Sequence, residues 1–253
     1  MRKILIIGIG AGNPDYVTVQ AIKALNEVDV FFIPDKGTDK TALQQLRKDI
    51  CERFIEGSAY RMVPVPIPTR AAAGENYRGS VDQWHAQLAE DYESLIMEEL
   101  GEGECGGFLV WGDPALYDST LRIIDHIQAK GCVLEYDIIP GISSVQALAA
   151  RHRVALNRIG QPVLITTGRK LSEGFPDNLD SVVVMLDGDQ AFKRIEADDL
   201  DIYWGAYLGT EDEILVAGKL SEVAGDIERI RRQAREEKGW IMDTYLLRKG
   251  GRT

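Results

Sequence analysis

The sequence has none of the long apolar runs that a membrane protein needs. No stretch approaches the roughly 18 consecutive apolar residues of a membrane-spanning helix. Residues 1–7 lead directly into a glycine-rich turn without a cleavage site, which predicts a first strand and not a signal peptide. Cysteine is also scarce: the chain has three, widely spaced and without a CxxC pair, which favours neither a disulfide framework nor a zinc site. We therefore expect a cytoplasmic protein with reduced thiols and no bound metal.

Positive charge is in short supply as well. Lysine and arginine together number 29, against 40 aspartate and glutamate residues, and the formal net charge is −11. A protein that binds nucleic acid needs a basic surface to neutralise phosphates. The composition therefore argues against a nucleic-acid partner. An acidic small-molecule substrate would have to be bound by local basic clusters.

Hydrophobic periodicity predicts an α/β protein with two domains. In the first half, short apolar strands alternate with amphipathic helices, a pattern typical of a parallel sheet with helices on both faces. Strands follow one another more closely after about residue 160, which predicts a mixed sheet. We place an N-terminal α/β domain at residues 1–157 and a C-terminal α/β domain at 158–253, with the active site in the cleft between them. Strands are predicted at 4–9, 30–33, 62–66, 108–111, 134–138, 163–167, 182–186, 202–208, 215–220 and 245–248, and helices at 18–26, 41–54, 81–100, 121–130 and 143–150.

Three loops each follow a predicted strand and carry residues suited to ligand binding. We name them loop 1 (residues 8–14), loop 2 (residues 112–120) and loop 3 (residues 138–144). Their sequences are Gly8-Ile9-Gly10-Ala11-Gly12-Asn13-Pro14, Gly112-Asp113-Pro114-Ala115-Leu116-Tyr117-Asp118-Ser119-Thr120 and Ile138-Ile139-Pro140-Gly141-Ile142-Ser143-Ser144. In loop 2 the glycine permits close approach of a ligand, and Asp113 presents a carboxylate. Ligands of open α/β sheets bind at the carboxyl ends of the strands, so we expect the three loops to converge on one site.

Loop 1 differs from a dinucleotide-binding turn. That fingerprint is GxGxxG, whereas here GxGxG is followed by Asn13-Pro14, and the helix can start only after the proline. No acidic residue ends the second strand at the usual distance, unless Asp35 serves. A dinucleotide-dependent reductase is therefore kept as a rival. A tight turn without a ligand is a simpler alternative for either glycine motif taken alone.

Together, the GxGxGxP start, the GDP turn and the PG-I-[ST] loop resemble the tetrapyrrole methylase family. The similarity continues through Val182-Val183-Val184-Met185 and Gly209-Thr210-Glu211-Asp212-Glu213 and covers nearly the whole chain in order. It implies two α/β domains, a homodimer and S-adenosyl-L-methionine as cofactor. Runs such as residues 29–37 and 202–209 are most similar to members that methylate precorrin-5 at C1 with release of acetate, which gives precorrin-6A in aerobic cobalamin biosynthesis. Trp111 stands where members acting on other carbons more usually have glycine.

The resemblance also implies a cofactor site built from the matched motifs. Asp113 would attract the cationic methionine end of the cofactor, and Met185 would line the adenosine pocket. The simpler alternatives are a turn residue that caps its own loop for Asp113 and a core residue for Met185. The predicted cofactor-binding residues are Pro14, Trp111, Gly112, Asp113, Leu116, Ser143, Ser144, Met185 and Gly209.

Release of acetate requires water to attack the acetyl carbonyl, and hence a base. The catalytic candidates are Tyr117, Asp118 and Asp15, with His85 as a further one. Asp118 as a helix cap and His85 as a surface or core residue are the alternatives. The tetrapyrrole carboxylates would be bound by arginine-rich segments, for which a solvated surface is the alternative. These basic residues are Arg151, His152, Arg153, Arg158, Arg70, Arg78, Arg169 and Lys170.

Other functions remain open on the same fold. The methyl group could go to another carbon of a precorrin, or to a protein side chain as in diphthine synthase. A non-catalytic S-adenosylmethionine sensor would bind the cofactor without turnover. The apolar stretch at residues 203–208 suits either a dimer interface or a buried strand.

Overall fold

The computed structural model describes residues 1–35, 41–67, 77–195 and 199–250. Two compact units make up the chain: the first comprises Met1–Gly10 and Pro14–Ser143, and the second Ala11–Asn13 and Ser144–Thr253. The main division falls after Ser143, whereas the predicted domain boundary after residue 157 stays a prediction. None of the helices in the described part of the chain combines the length and the apolar character that a membrane span requires.

The first unit contains the predicted parallel sheet. Its strands are β1 (Lys3–Gly8), β2 (Val30–Asp35), β3 (Arg61–Pro66), β4 (Cys105–Val110) and β5 (Glu135–Ile139). They lie in the order β3-β2-β4-β1-β5, and the pairs are parallel. Because β1 lies between β4 and β5, the carboxyl ends of these three strands are neighbours. Loops 1, 2 and 3 leave the sheet at these ends.

Helices cover both faces of this sheet. They are α1 (Val19–Leu25), α2 (Thr41–Phe54), α3 (Tyr77–Glu99) and α4 (Thr120–Ala129). Successive side chains of a strand point to opposite faces, so Ile4 and Ile6 enter one core and Leu5 and Ile7 enter the other. The first core includes residues of α3 and α4, and the second includes residues of α1 and α2. Burial on both faces explains why β1 is apolar at nearly every position.

Strand β4 begins at Cys105, earlier than the start predicted at residue 108. Gly106 and Gly107 interrupt the apolar pattern, and they belong to the strand for a packing reason. A Cβ on Gly106 would lie 2.8 Å from Cδ1 of Ile4, and one on Gly107 would lie 2.9 Å from Cγ2 of Val28. Neighbouring side chains therefore occupy the space on both faces that a larger residue would need.

The second unit contains a mixed sheet, as predicted. Its strands are β6 (Val163–Thr167), β7 (Ser181–Met185), β8 (Leu200–Ala206), β9 (Ile214–Lys219) and β10 (Asp243–Lys249), in the order β6-β7-β10-β8-β9. The β6 and β7 pair is parallel, and the other pairs are antiparallel. Its helices are α5 (Ser144–His152), α6 (Gly168–Leu171) and α7 (Leu220–Lys238). Trp204, Ala206, Tyr207 and Leu208 are all buried, so the apolar stretch at residues 203–208 belongs to the core of this unit.

The sequence analysis did not identify helix α7. Its apolar residues nevertheless recur at helical spacing and lie in or against the core of the second unit: Leu220, Val223, Ala224, Ile227, Ile230 and Ala234. A buried charge occupies the same face: Nε of Arg231 lies 3.0 Å from Oδ2 of Asp243, and both side chains are almost fully buried. The helical period of the apolar residues could therefore have been recognised from the sequence, whereas the partner of Arg231 could not.

Candidate functional site

Loops 1, 2 and 3 are in direct contact. Gly10 and Gly112 form an antiparallel bridge, in which Gly112 N donates to Gly10 O over 2.9 Å and Gly10 N donates to Gly112 O over 3.3 Å. Loop 3 packs against both: a Cβ on Gly141 would lie 2.1 Å from Gly112 O, and one on Gly8 would lie 2.6 Å from Gly141 N. Backbone packed this closely leaves no room for a side chain at Gly8 or Gly141. The loops converge as the sequence predicts.

The carboxylate of Asp113 joins loops 2 and 3. Oδ1 accepts a hydrogen bond of 2.9 Å from Ala115 N within loop 2, and Oδ2 accepts one of 2.9 Å from Gly141 N in loop 3. Hydrogen bonds to an ionised acceptor are stronger than those between neutral groups. Asp113 therefore has a structural partner on each oxygen, which agrees with the alternative that it organises its own turn.

Trp111 is the first residue after β4, and its indole group is unusual. The Nε1 atom is buried and has no hydrogen-bond partner among the described residues. Buried donors are nearly always paired, because an unpaired one costs the free energy of its lost hydration. The end of β4 thus presents an N–H group that requires an acceptor.

The other predicted cofactor residues of the first unit lie close to these loops. Pro14 begins a 3₁₀ turn over Pro14–Tyr16, and Leu116 donates its backbone N–H to Asp113 O over 3.2 Å. Ser143 is 3% exposed and lies against loop 2, since a Cβ on Gly112 would be 3.4 Å from its Cα.

Two of the predicted catalytic carboxylates already have partners. Asp15 Oδ1 lies 2.6 Å from an amino nitrogen of Arg53, in an ion pair whose two side chains are both more than half exposed. Asp118 Oδ1 accepts a 2.7 Å hydrogen bond from Thr120 N, at the start of α4. Asp118 thus acts as the helix cap that was its alternative interpretation.

Tyr117 adopts a backbone conformation that bulky residues rarely occupy. Its φ is +54°, in the left-handed region, and its side chain is 43% exposed. Such conformations cost free energy and often occur at functional sites. Partial burial raises the pKa of the phenol above its usual value of 10.0. Tyr117 therefore keeps its phenolic proton at neutral pH and can donate a hydrogen bond.

The structure adds two residues that the sequence analysis did not select. Ser119 Oγ lies 3.0 Å from Nε2 of His85, the further catalytic candidate, which is 6% exposed on α3. Arg47 of α2 donates its Nε to Leu109 O over 3.1 Å, at the end of β4. Burial lowers the pKa of its guanidinium, and the nearby charge of Asp118 opposes that shift. No local motif links these residues, because they belong to different helices and loops.

In the second unit, Ser144 and Met185 are connected through Thr244. Met185 ends β7, where it is in register with Thr167 of β6 and Thr244 of β10. Thr244 Oγ1 donates to Ser144 Oγ over 3.0 Å, and both residues are buried. Two cofactor residues predicted from separate motifs are thereby brought together.

Gly209 lies in a tight turn next to the middle of loop 1. A Cβ on Gly12 would lie 2.3 Å from Leu208 O, so loop 1 packs directly on the turn. Gly209 has a φ of +78°, and its N–H donates to Oε2 of Glu213 over 2.9 Å. The other oxygen of Glu213 lies 2.5 Å from Nε of Arg151. Glu213, just before β9, thus joins this turn to Arg151 of α5.

Several of the predicted tetrapyrrole-binding residues have internal partners. Besides Arg151, the His152 ring nitrogen Nε2 lies 3.0 Å from Trp204 O, and Arg158 donates to Lys249 O. Burial lowers the pKa of His152 below 6.5. Lys170 pairs with Glu173 on the surface, and Arg153 has a φ of +58°. Arg70 lies outside the described residues, as does the side chain of Arg78.

The chain matches the family model of the Tetrapyrrole (Corrin/Porphyrin) Methylases over residues 3–224. It is 57% identical over 251 residues to the precorrin-6A synthase (deacetylating) of Sinorhizobium sp., a match that covers 99% of this chain and 96% of that protein.

Solved structures give the same result. A cobalamin synthesis related protein, CobF, from Corynebacterium diphtheriae superimposes with a TM-score of 0.83 at 38% identity, over 99% of this chain and 100% of that one. A uroporphyrin-III C-methyltransferase from Thermus thermophilus, solved in complex with S-adenosylhomocysteine, shares the fold with a TM-score of 0.59 at 16% identity. That match covers 97% of this chain and 91% of the other.

Proposed function

Because the chain belongs to the tetrapyrrole (corrin/porphyrin) methylase family, we propose that it is an S-adenosylmethionine-dependent C-methyltransferase of aerobic cobalamin biosynthesis. It transfers a methyl group to C1 of precorrin-5 and releases acetate, which gives precorrin-6A. The observation that carries this proposal is the 57% identity, over nearly the full length of both chains, with a protein named for the deacetylating reaction.

The buried indole N–H of Trp111 supports a ligand at the end of β4. S-adenosylmethionine carries acceptor atoms on its carboxylate, its ribose and its adenine ring, so it fits a site that offers an unpaired donor. The residues that would hold it share one property: they lie in loops or at strand ends. They are Pro14, Trp111, Gly112, Asp113, Leu116, Ser143, Ser144, Met185 and Gly209.

When bound, S-adenosylmethionine supplies an electrophilic methyl group on a positively charged sulfur. The residues of the chain hold the cofactor and the substrate in alignment for the reaction. Asp113 and the glycines of loops 1, 2 and 3 fix the spacing of the loops, which lets backbone groups keep a defined geometry. Positioning of this kind can lower a barrier by roughly 7–11 kcal/mol. Most residues of the site are therefore expected to bind and few to react.

The contacts of the three predicted catalytic residues favour different roles. Asp15 is held by Arg53 and Asp118 by the start of α4, so neither carboxylate is well placed to accept a proton from water. Tyr117 is protonated at neutral pH and suits hydrogen-bond donation to a substrate oxygen. The base that activates water is then a different residue.

We further propose that the protein acts as a homodimer in the cytoplasm. The support is the similarity of its motifs to a family whose members usually form homodimers, together with the reduced state expected for three unpaired cysteines. Sedimentation velocity over a range of protein concentrations measures the oligomeric state. A single monomeric species throughout would contradict the dimer.

Calorimetric titration with S-adenosylhomocysteine tests the cofactor site without the unstable tetrapyrrole. We expect binding that Met185→Asp weakens, because a carboxylate would enter the adenosine pocket. Met97→Asp on the exposed side of α3 is the matched control and should bind normally. Heat released by NADPH, with none from S-adenosylhomocysteine, would discard the methyltransferase and favour the dinucleotide-dependent reductase.

Turnover of precorrin-5 with S-adenosylmethionine then separates the remaining rivals. The proposal requires one acetate for each methyl group transferred. Methylation at another carbon without acetate would indicate a sibling activity. Cofactor binding without any turnover of tetrapyrrole would indicate a sensor.

A further inference from the structure

A serine of loop 2 and a histidine of α3 form a hydrogen-bonded pair in the first unit. Ser119 ends the loop just before α4, and His85 lies on α3. Nε2 of the imidazole and Oγ of the hydroxyl are 3.0 Å apart. A hydroxyl within hydrogen-bond reach of an imidazole is the arrangement in which a base can take a proton through an alcohol.

Ser119 occupies a capping position without capping the helix. It is the N-cap residue of α4, where serine normally accepts a hydrogen bond from the first turn, yet its side chain makes no such bond. Asp118 accepts the N–H of Thr120 instead. The hydroxyl of Ser119 is thereby left to His85, at the cost of a favourable local contact.

The two members of the pair differ in exposure. His85 is 6% exposed, whereas Ser119 is half-buried and belongs to the loop that contacts loops 1 and 3 through Gly112 and Asp113. Only the hydroxyl can therefore reach a substrate, and the imidazole must act through it. Tyr117, two residues earlier, places a phenol donor in the same short segment.

We propose, on the basis of the proposed function, that Ser119 relays a proton from water to His85 and so drives the release of acetate. The water oxygen bonds to the acetyl carbonyl carbon as one of its protons passes to Ser119 Oγ, and the Ser119 proton passes to Nε2 of His85. The bond between the carbonyl carbon and the macrocycle then breaks. Its electron pair stays on C1 of the macrocycle and forms the bond to the incoming methyl group. Acetic acid leaves and ionises to acetate, and the imidazolium returns its proton to solvent.

In this scheme Ser119 is a catalytic residue and His85 is a positioning and proton-accepting residue that acts through it. Methyl transfer does not involve the pair and follows the loss of the acetyl group, because C1 carries that group and has no free valence until it leaves. Removing the relay should therefore slow acetate release, and with it methyl transfer, while the affinity for the cofactor stays unchanged. General base assistance typically contributes about 10²- to 10⁴-fold to a rate.

The test measures acetate formation and methyl transfer in single turnovers of the whole protein with saturating precorrin-5 and S-adenosylmethionine, together with the affinity for S-adenosylhomocysteine. Ser119→Ala and His85→Gln should form acetate, and hence the methylated product, about 10²- to 10⁴-fold more slowly, and should bind S-adenosylhomocysteine as the unaltered chain does. Ser119→Thr retains a hydroxyl and should retain acetate release. His126→Gln makes the same change at an exposed position of α4 and should behave as the unaltered chain does.

Acetate release at the unaltered rate in Ser119→Ala would overturn the proposal. Recovery of the Ser119→Ala rate at a higher concentration of precorrin-5, or a Ser119→Thr variant as slow as Ser119→Ala, would also overturn it, because the pair would then serve binding or structure. If His85→Gln does not fold, the comparison of Ser119→Ala with Ser119→Thr decides whether the hydroxyl is needed. Absence of methyl transfer by the unaltered chain would instead refute the proposed function, and the relay with it.

Discussion

At the residue scale, Asp113 can act in two ways, by joining two loops or by attracting the cofactor, and substitutions can separate the two. Its oxygens accept N–H groups from Ala115 and Gly141, so it joins loop 2 to loop 3. A direct attraction to a cationic cofactor would depend on its charge. The joining of the loops depends on the two carboxylate oxygens as hydrogen-bond acceptors. An asparagine side chain at this position would keep one of these two acceptors.

Replacement of Asp113 should therefore be graded. Asp113→Ala leaves two backbone donors without their acceptor and should lower the free energy of unfolding by about 1–3 kcal/mol. Asp113→Asn should lose less, because its carbonyl oxygen still accepts one N–H. Urea unfolding measures stability, and calorimetry measures the affinity for S-adenosylhomocysteine. Equal loss of affinity in both variants, with stability unchanged, would show that the charge contacts the cofactor directly.

His152 illustrates a residue whose role is changed by burial. It was predicted to bind substrate carboxylates, but its ring lies between α5 and β8 and contacts Trp204 O. Burial lowers the pKa of the folded imidazole below the ordinary 6.5, although the bond to Trp204 opposes that shift. The unfolded chain then binds more protons than the folded one as the solution is acidified.

The stability that His152 contributes is therefore present above about pH 6.5, the unfolded value, and is lost as the pH falls through the folded pKa. We expect urea midpoints of the unaltered protein to fall between about pH 8 and about pH 5, the range in which imidazole titrates. In His152→Gln that fall should be smaller. His126→Gln, at an exposed position, should leave it unchanged. An identical pH dependence in all three proteins would contradict the assignment.

At the scale of elements, α7 offers a pair of glycines in opposite situations. Gly239 ends the helix with a φ of +75°, while Gly225 lies exposed in its interior. A Cβ at either position would meet nothing within 4 Å, so packing does not distinguish them. Backbone conformation alone decides the effect of adding a methyl group.

The same substitution at these two sites should have opposite signs. Gly225→Ala should raise the free energy of unfolding by roughly 0.5–1 kcal/mol, because alanine loses less entropy in a helix. Gly239→Ala should lower it by about 1 kcal/mol, because the left-handed conformation is unfavourable for a residue with a Cβ. Urea unfolding of both variants measures the difference. A stabilised Gly239→Ala would mean that the helix does not end in the left-handed conformation.

At the scale of the whole molecule, the distribution of charge explains how an acidic protein uses its arginines. Arg231 is buried beside Asp243, the half-buried Arg47 donates to the end of β4, and Arg151 pairs with Glu213. These arginines serve the interior and the loops as well as any substrate. The net charge of −11 therefore does not tell how many basic groups are available to bind a ligand.

Binding of the cofactor should stabilise the folded chain as a whole. A ligand present at about 100 times its dissociation constant adds about 2.7 kcal/mol to the free energy of unfolding. S-adenosylhomocysteine should therefore raise the urea midpoint, and the gain should shrink in Met185→Asp. NADPH at the same concentration serves as the control. Stabilisation by NADPH alone would contradict the methyltransferase.

The sequence by itself determined the order of strands and helices in the first unit and the three loops at the ends of β1, β4 and β5. Hydrophobic period and turn chemistry are local properties, so they can be recognised from neighbouring residues. The apolar period of α7 was present in the sequence as well, although the helix was missed, but the partner of its buried Arg231 is supplied by β10 and was not predictable.

Only the tertiary structure decided which side chains meet. The bonds of Asp113 to Gly141, of His85 to Ser119 and of Thr244 to Ser144 join residues 28, 34 and 100 positions apart. A carboxylate can attract a cofactor, cap a helix or join two loops, and its residue type is the same in each case. Its role depends on the donors, charges and solvent that surround it, and those neighbours are set by the packing of distant segments.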